Sequence, residues 1–394
     1  MKPVEKIKLS GLMASKAVRR IFDILQEDKK KPQILFVGGC VRNALLGEAV
    51  FDIDLATILT PEQVSAKLKA AGVKVVPTGI EHGTVTAVVD AVPIQITTLR
   101  RDIDTDGRHA KVSYTDDWLE DAGRRDFTMN TLLADIKGNI FDPLSRGVSD
   151  LQKRKIIFVG DPATRIKEDY LRILRFFRFH AWYGKGKLDD KALAACASAA
   201  RNLKTLSKER VTQEILKILS SPKPEILDLM FENKILVELS NKKFNTSYFS
   251  YIRKLDNQGA GNTSIGLLNL SGFSKTGARR IENQLRLSNK QIKLINEVIF
   301  YLKAFKEISE HELKVLLYRA GHEAAELVLI SRLLLDEGSI TAGRKWISFL
   351  RSMDRPVMPL RGQDLIDQGM KPGLDIKKAL EKFERSWIRK DFKV

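Results

Sequence analysis

The 394-residue sequence carries 67 lysines and arginines against 49 aspartates and glutamates, a formal net charge of +18. Such an excess favours a polyanionic partner, above all nucleic acid. The two cysteines, Cys40 and Cys196, have no metal-ligand spacing, so neither a disulfide framework nor a zinc site is indicated. No apolar run approaches membrane-spanning length, and we expect a cytoplasmic protein of two or more domains.

The first motif in chain order is the glycine pair Gly38-Gly39, which follows the apolar run 34–37 and opens a predicted helix carrying Arg42. Glycine lets the backbone turn sharply and approach phosphate oxygens with its N–H groups. The pair indicates a phosphate-binding turn. The alternative is a tight strand-to-helix turn without a ligand.

A pair of aspartates follows this helix. Asp52 and Asp54 alternate with Ile53 and Leu55, so a strand over 52–56 would project both carboxylates from one face. Two like charges this close repel unless a cation lies between them, and Mg²⁺ prefers one or two carboxylates together with substrate phosphates. The motif predicts a magnesium site and phosphoryl-transfer chemistry. The alternative is an edge strand with a polar outer face.

The pattern of elements changes near residue 160. The runs Thr84–Val89 and 94–99 are typical of strands and 61–71 of a helix, whereas the sequence after Asp161 shows long helical periodicity. The sequence therefore predicts an α/β or α+β head followed by a mostly helical body.

Two arginines, Arg124 and Arg125, precede Asp126 and Asn130 around a predicted helix start. Guanidinium groups in such a cluster suit a triphosphate or the hydroxyls of a ribose. The alternative is a capped helix in which Asp126 lies near the N-terminus and Arg124 forms a surface ion pair.

A second charged cluster begins at Asp169 and continues through Arg172, Arg175 and Arg178, a step of three residues that predicts one polar stripe on a helix. Carboxylates accept hydrogen bonds and guanidinium groups donate them. An Asp–Arg pair therefore matches cytosine and adenine, which place an amino donor next to a ring acceptor, and disfavours guanine and uracil. The alternative is a solvated face with ion pairs.

These clusters, in this order, resemble the class II tRNA nucleotidyltransferases, or CCA-adding enzymes, and the related bacterial poly(A) polymerases of the polymerase-β superfamily. The stretches that resemble family motifs A to E are, in order, 38–54, 124–130, 141–151, 168–172 and 208–210.

The resemblance implies an α+β fold. It places a nucleotidyltransferase head, an antiparallel sheet with flanking helices, at residues 1–157. An all-helical neck that recognises the base would cover 158–235, and a helical body and tail that bind the tRNA acceptor arm would cover 236–394.

The resemblance also implies the roles of the site residues. Asp52 and Asp54 would be catalytic and would bind two Mg²⁺ ions, one acting on the RNA 3′-hydroxyl and one on the triphosphate. Gly39 and Arg42 would contact the triphosphate, and Arg125 the sugar and phosphates. The complete set implied to bind the nucleotide is Gly38, Gly39, Arg42, Arg125, Asn130, Asp169, Arg172, Arg175 and Arg178, with Asp169 and Arg172 on the base.

Two positions depart from the family pattern. Asn43 stands where relatives carry Asp, and Gln95 stands where Glu is expected. The stretch 101–109 resembles the flexible loop that the family uses to switch from C to A addition, which argues against a CC-only enzyme.

The resulting hypothesis is template-independent addition of CCA to tRNA 3′ ends from CTP and ATP, with release of pyrophosphate. Two alternatives are a poly(A) polymerase, which shares the head chemistry, and a catalytically inactive RNA-binding relative. The sequence leaves open whether the protein is a monomer or a homodimer.

Overall fold

The computed structural model describes all residues except 29–30, 78, 81–82, 105–110, 238, 240–246, 256–261 and 394, and it also leaves out the side chains of 102–104, 111–112, 247 and 262. The predicted C-to-A loop lies largely outside the described residues. The chain divides into two compact units, Met1–Leu206 and Ser207–Val394. The finer division at residues 157 and 235 stays a prediction.

A mixed sheet forms the centre of the first unit, in the strand order β1-β10-β9-β2-β3-β6-β5-β4. Its strands are β1 Glu5–Lys6, β2 Ile34–Val37, β3 Asp54–Thr57, β4 Lys74–Val76, β5 Thr84–Val89, β6 Val92–Thr98, β9 Leu133–Ala134 and β10 Asn139–Phe141. Strands β7 Arg100–Asp104 and β8 Lys111–Tyr114 form a separate antiparallel pair. Neighbours in the large sheet are antiparallel except β3 and β6, which are parallel.

Helices flank the sheet, and the predicted fold class is therefore confirmed, with one parallel pair inside the sheet. The helices of the first unit are α1 Lys16–Leu25, α2 Gly39–Leu45, α3 Pro61–Ala70, α4 Trp118–Gly123, α5 Gly147–Gln152, α6 Pro162–Glu168, α7 Leu171–Tyr183 and α8 Asp190–Ala199. Short 3-10 helices cover Gly11–Ala14, Thr128–Asn130 and Ala200–Thr205.

Local sequence explains several of these elements. The Thr60 side chain and Gln63 form a capping box at the start of α3, with Pro61 in the first turn. Asp90 and Ala91, both at positive φ, make the two-residue connection between β5 and β6. The predicted helix over 61–71 and strand Thr84–Val89 are confirmed.

One part of the hydrophobic core lies where the central strands of the large sheet pack against neighbouring elements. All four residues of β2 are buried. The buried residues that pack together here are Leu35, Val37, Ala56, Leu99, Trp118, Leu133 and Phe141. The segments that carry the motifs therefore begin and end at residues of a closely packed hydrophobic core.

The described part of the second unit is helical, as predicted. Its helices are α9 Lys208–Leu219, α10 Ile226–Glu232, α11 Ser247–Leu255, α12 Asn262–Leu270, α13 Lys275–Gln284, α14 Asn289–Ala304, α15 Glu310–Leu335, α16 Ile340–Ser352, α17 Gly362–Asp367 and α18 Leu374–Arg389. Helix α15 breaks at Gly321, and the Arg355 guanidinium donates to the Tyr318 carbonyl beside the break. In the part of the chain that the structure describes, no helix is long and apolar enough to cross a membrane.

Candidate active site

The glycine pair forms the predicted turn between β2 and α2. Gly38 has φ 71° and ψ −124°, a left-handed backbone that side chains disfavour, and its carbonyl accepts from the N–H of Arg42 at 3.1 Å. Gly39 begins α2, and a Cβ there would meet only the Arg42 Nη2 at 3.7 Å, an ordinary contact. The fold therefore requires glycine at 38 and leaves room at 39.

The two aspartates lie at the start of β3. Asp54 is its first residue, whereas Asp52 precedes it, so the predicted strand over 52–56 begins two residues too early. Asp52 is exposed and Asp54 is half-buried. Burial and the neighbouring charge of Asp52 raise the pKa of Asp54, and the charge of Arg125 opposes that rise. The two carboxylates therefore interact electrostatically, with a cation close by.

This donor set fits Mg²⁺. Among the described residues, no group of three or more His, Cys, Asp or Glu side chains has the arrangement of a metal site. Two carboxylates without a protein cage match the habit of Mg²⁺, which completes its octahedral coordination with water and substrate phosphates. The pair therefore suits a metal that arrives with a nucleoside triphosphate.

Gln95 lies beside Asp54 in the sheet. The two residues are register partners in the parallel pair β3–β6, and the N–H of Gln95 donates to the Ile53 carbonyl at 3.2 Å. The Gln95 side chain is exposed. The departure noted in the sequence thus places a neutral amide next to the aspartate pair.

Arg42 is buried inside a hydrogen-bonded network, with 7% of its surface exposed. Its Nη1 donates to Asn130 Oδ1 at 2.8 Å and its Nη2 to the Tyr183 hydroxyl at 2.7 Å. The guanidinium carbon lies 4.1 Å from the centre of the Tyr183 ring. Burial lowers the pKa of Arg42, against the opposing effect of Tyr183.

Asn43 takes the place of the expected aspartate without breaking this network. Its Oδ1 accepts from Arg42 Nη2 at 3.0 Å, as a carboxylate would. Its Nδ2 donates to the Ala49 carbonyl at 3.0 Å, which a carboxylate cannot do. The amide therefore joins the arginine to the segment that leads towards Asp52.

Asp126 and Asn130 connect Arg42 to α7. Asn130 Nδ2 donates to Asp126 Oδ1 at 3.0 Å, and Arg175 Nε donates to Asp126 Oδ2 at 2.8 Å. Burial would raise the pKa of Asp126, but the Arg175 charge and the hydrogen bond from Asn130 hold it below its ordinary value. A chain of contacts thus runs from α7 through Asp126 and Asn130 to Arg42.

Asp121, which the sequence analysis missed, fixes both arginines of the next cluster. Arg124 donates to its Oδ1 and Arg125 to its Oδ2, each through Nε at 3.0 Å and through Nη2. Asp121 is 2% exposed. Despite its burial, Arg125 and Arg124 hold its pKa below the ordinary value. A sequence signal was present, because Asp121 precedes Arg124 by three residues and Arg125 by four, the spacing at which opposite charges pair along a helical turn.

Asp169 does not continue the helix that carries the three arginines, which corrects the predicted stripe. It has extended backbone, with φ −153°, and its carboxylate accepts from the N–H of Leu171 at 3.1 Å at the start of α7. This local bond to the backbone competes with helix formation at Asp169. Arg172 lies in the first turn, and its Nη1 donates to Glu168 at 2.6 Å.

Arg172 also reaches the arginine cluster, since its Nη2 donates to the Arg124 carbonyl at 3.2 Å. Farther along α7, the guanidinium carbon of Arg178 lies 4.2 Å and that of Arg175 5.4 Å from the centre of the Phe179 ring. Arg42 lies 5.3 Å from the same ring. Bonds or ring contacts thus join Arg42, Asn130, Arg175 and Arg178.

The sequence matches two protein-family models. Residues 34–157 match the Poly A polymerase head domain, and residues 187–240 match the probable RNA and SrmB-binding site of polymerase A.

Relatives and a solved structure extend this match. A CCA-adding enzyme of Enterococcus faecalis is 31% identical over 84% of this chain and 81% of its own length. Mitochondrial CCA tRNA nucleotidyltransferase 1 of Danio rerio is 40% identical over 52% of this chain, which covers 48% of that protein. The crystal structure of the Bacillus stearothermophilus CCA-adding enzyme in complex with CTP is 26% identical, with a TM-score of 0.73 over 96% of this chain and 94% of that chain.

The likeness extends well beyond the motifs, because the Enterococcus alignment covers most of both sequences. The family predicted from the motifs is confirmed. The chain belongs to the CCA-adding enzyme family of nucleotidyltransferases.

Proposed function

We propose that this protein adds C, C and A to the 3′ ends of tRNA from CTP and ATP, without a template and with release of pyrophosphate. The observation that carries the proposal is the placement of Asp52 and Asp54 at the start of β3, where no hydrogen bond or ion pair in the described residues holds either carboxylate and the charge of Arg125 acts on Asp54. The carboxylates suit a metal ion and the nearby arginine suits phosphate oxygens, so together they match a metal-bound triphosphate. Membership of the family and the CTP bound by the Bacillus relative support the choice of substrates.

Asp52 and Asp54 would hold the two Mg²⁺ ions together with the substrate phosphates. Bound there, the metal would make the RNA 3′-hydroxyl more nucleophilic and offset the charge of the triphosphate. Arg125, held rigidly by Asp121, would bind phosphate and sugar oxygens without having to be ordered first. Arg42 would add positive charge behind the glycine turn, in a position fixed by Asn130 and Tyr183.

Base selection would depend on Asp169 and Arg172. Within the described residues, hydrogen bonds to Glu168 and to the Arg165 and Arg124 carbonyls involve three of the five N–H groups of Arg172. The guanidinium is therefore fixed in direction and keeps donors for a base. A fixed donor beside the Asp169 acceptor matches cytosine and adenine, whereas guanine or uracil would leave buried polar groups unpaired.

The tRNA would be held largely by charge, since the chain has a net charge of +18. We assign the acceptor arm to the helices after residue 235. We also propose a cytoplasmic location, although the Danio relative is a mitochondrial form. Both a monomer and a homodimer are compatible with this function.

The experiment that tests the function uses a tRNA lacking its last three nucleotides, Mg²⁺ and all four nucleoside triphosphates, followed by sequencing of the RNA 3′ ends. We expect ends that stop at CCA. Long A tails would instead identify a poly(A) polymerase, the alternative that shares the head domain. Ends that stop at CC would contradict the role given to the loop at 101–109, and no addition would favour an inactive RNA-binding protein.

A further inference from the structure

Phe51 has no part in the function proposed above. Its side chain is 82% exposed, the largest exposed fraction among the large apolar side chains of the described residues. Single exposed apolar side chains are common, so exposure alone assigns no role. Phe51, however, directly precedes Asp52, and consecutive Cα atoms are about 3.8 Å apart.

The backbone is anchored on both sides of Phe51. Before it, Asn43 Nδ2 donates to the Ala49 carbonyl at 3.0 Å. After it, the Ile53 carbonyl accepts from the N–H of Gln95 at 3.2 Å, and the Ile53 side chain is 2% exposed. Phe51 lies two residues from each anchor, so its ring projects from a segment that the fold holds in place.

We propose that Phe51 stacks on the base at the 3′ end of the acceptor RNA, an inference that rests on the proposed function. The attacking 3′-hydroxyl has to lie beside Asp52 and Asp54, in contact with the α-phosphate. The sugar that carries this hydroxyl also carries the terminal base. That base therefore lies close to the residue next to Asp52, whose exposed ring offers it a flat apolar surface.

Stacking suits this position because the terminal base changes at every step. It is the last base of the truncated tRNA before the first addition, then the first C and then the second C. A side chain that read one base by hydrogen bonds would leave polar groups unpaired on another. An aromatic ring stacks on every base, so Phe51 can position all three ends.

A binding experiment without nucleotides tests this contact directly. The probe is a tRNA that lacks its last three nucleotides and carries fluorescent 2-aminopurine as its 3′-terminal base, because stacking quenches that fluorescence. We expect quenching with the wild type and with Phe51→Tyr and Phe51→Trp, and its loss with Phe51→Leu. Phe300→Leu is the matched control, since it removes a ring that is 59% exposed in the second unit and should leave the quenching unchanged.

Steady-state kinetics give the second readout. Phe51→Leu should lower kcat/KM for tRNA about five- to tenfold at each of the three additions, leave KM for CTP unchanged, and be rescued by tyrosine. The exposed position of Phe51 means that the variant should keep the wild-type melting temperature. Equal quenching by wild type and Phe51→Leu, or equal losses for Leu and Tyr, would overturn the role of Phe51 while CCA addition by the wild type stands. A wild type that adds no nucleotide would overturn both proposals.

Discussion

Asp52 and Asp54, the open pair, are exposed and half-buried at the beginning of β3, whereas Asp121 and Asp126, in the same unit, are 2% and 8% exposed and bound by arginine side chains. The pKa shifts point in opposite directions. Burial and a neighbouring carboxylate raise the pKa of Asp54, while arginines hold the pKa values of Asp121 and Asp126 low in spite of burial. Arginine ion pairs balance the charges of Asp121 and Asp126, whereas the charge of Arg125 acts on Asp54 without forming an ion pair in the described residues.

This difference indicates two roles: the buried aspartates position arginine side chains, and the open aspartates would take part in the reaction. Asp121 and Asp126 direct Arg125 and, through Asn130, Arg42, so the cationic side of the site is rigid before any substrate binds. Among the described residues, no hydrogen bond or ion pair holds the carboxylates of Asp52 and Asp54. The charge of Arg125 offsets only part of their repulsion, since the pKa of Asp54 stays raised, and a metal ion would offset more of it. Metal binding is therefore expected to affect the site more than the stability of the fold.

The strongest test of this contrast replaces both open carboxylates. Asp52→Ala with Asp54→Ala should lower the rate of nucleotide addition about a thousandfold or more, because the metal site is lost. The melting temperature should stay within a few degrees of the wild type, since the change removes like-charge repulsion. Affinity for tRNA, measured by filter binding, should persist, and undiminished addition would contradict the metal assignment.

The next largest effect concerns stability. Asp126→Ala removes a buried carboxylate that accepts from Arg175, Asn130 and the N–H of Phe127, and it should lower the free energy of unfolding by about 3 kcal/mol because buried donors lose their acceptor. Urea unfolding followed by circular dichroism measures the loss. Asp23→Ala, at an exposed aspartate on α1, is the control and should cost less than about 0.5 kcal/mol.

The same contrast predicts a dependence on pH. Because the folded state lowers the pKa of Asp126, this group contributes stability above its unfolded pKa of about 4, and the contribution is lost as pH falls through the folded value. Asp126→Asn should therefore lose less stability than the wild type between pH 4 and lower values. Parallel acid-side losses in the two proteins would contradict the stabilising role of the charge.

Sequence reasoning succeeded where the signal was local. The turn at Gly38 and the strand Thr84–Val89 each depend on neighbouring residues. It failed at Asp169, because a side-chain bond to the Leu171 N–H competes with helix formation there. The contact between Arg42 and Tyr183 joins residues 141 positions apart, and no pattern in the sequence indicates it.

A substitution with a smaller expected effect tests Asn130, which links Arg42 to Asp126 by hydrogen bonds. Asn130→Asp keeps the shape of the side chain but removes the Nδ2 donor and places a second carboxylate against Asp126. Repulsion between the two carboxylates should displace residue 130, and with it the Arg42 guanidinium that donates to its Oδ1, so we expect KM for CTP to rise about tenfold. Asn43→Asp is the matched control: it keeps the acceptor for Arg42 and should change KM less than threefold, so a larger effect there would contradict the proposed order of importance.

The smallest effect is expected from a substitution that adds a negative charge beside Asp52 and Asp54. Gln95→Glu places a carboxylate on the register partner of Asp54, where its attraction for Mg²⁺ through solvent should lower the half-saturating metal concentration about threefold. The measurement is a Mg²⁺ titration of the CTP addition rate at fixed ionic strength. Gln95→Met, which is neutral, should follow the wild-type titration. If the glutamate variant also followed it, Gln95 would lie outside the reach of the metal, and the open pair, Asp52 and Asp54, would act on the metal alone.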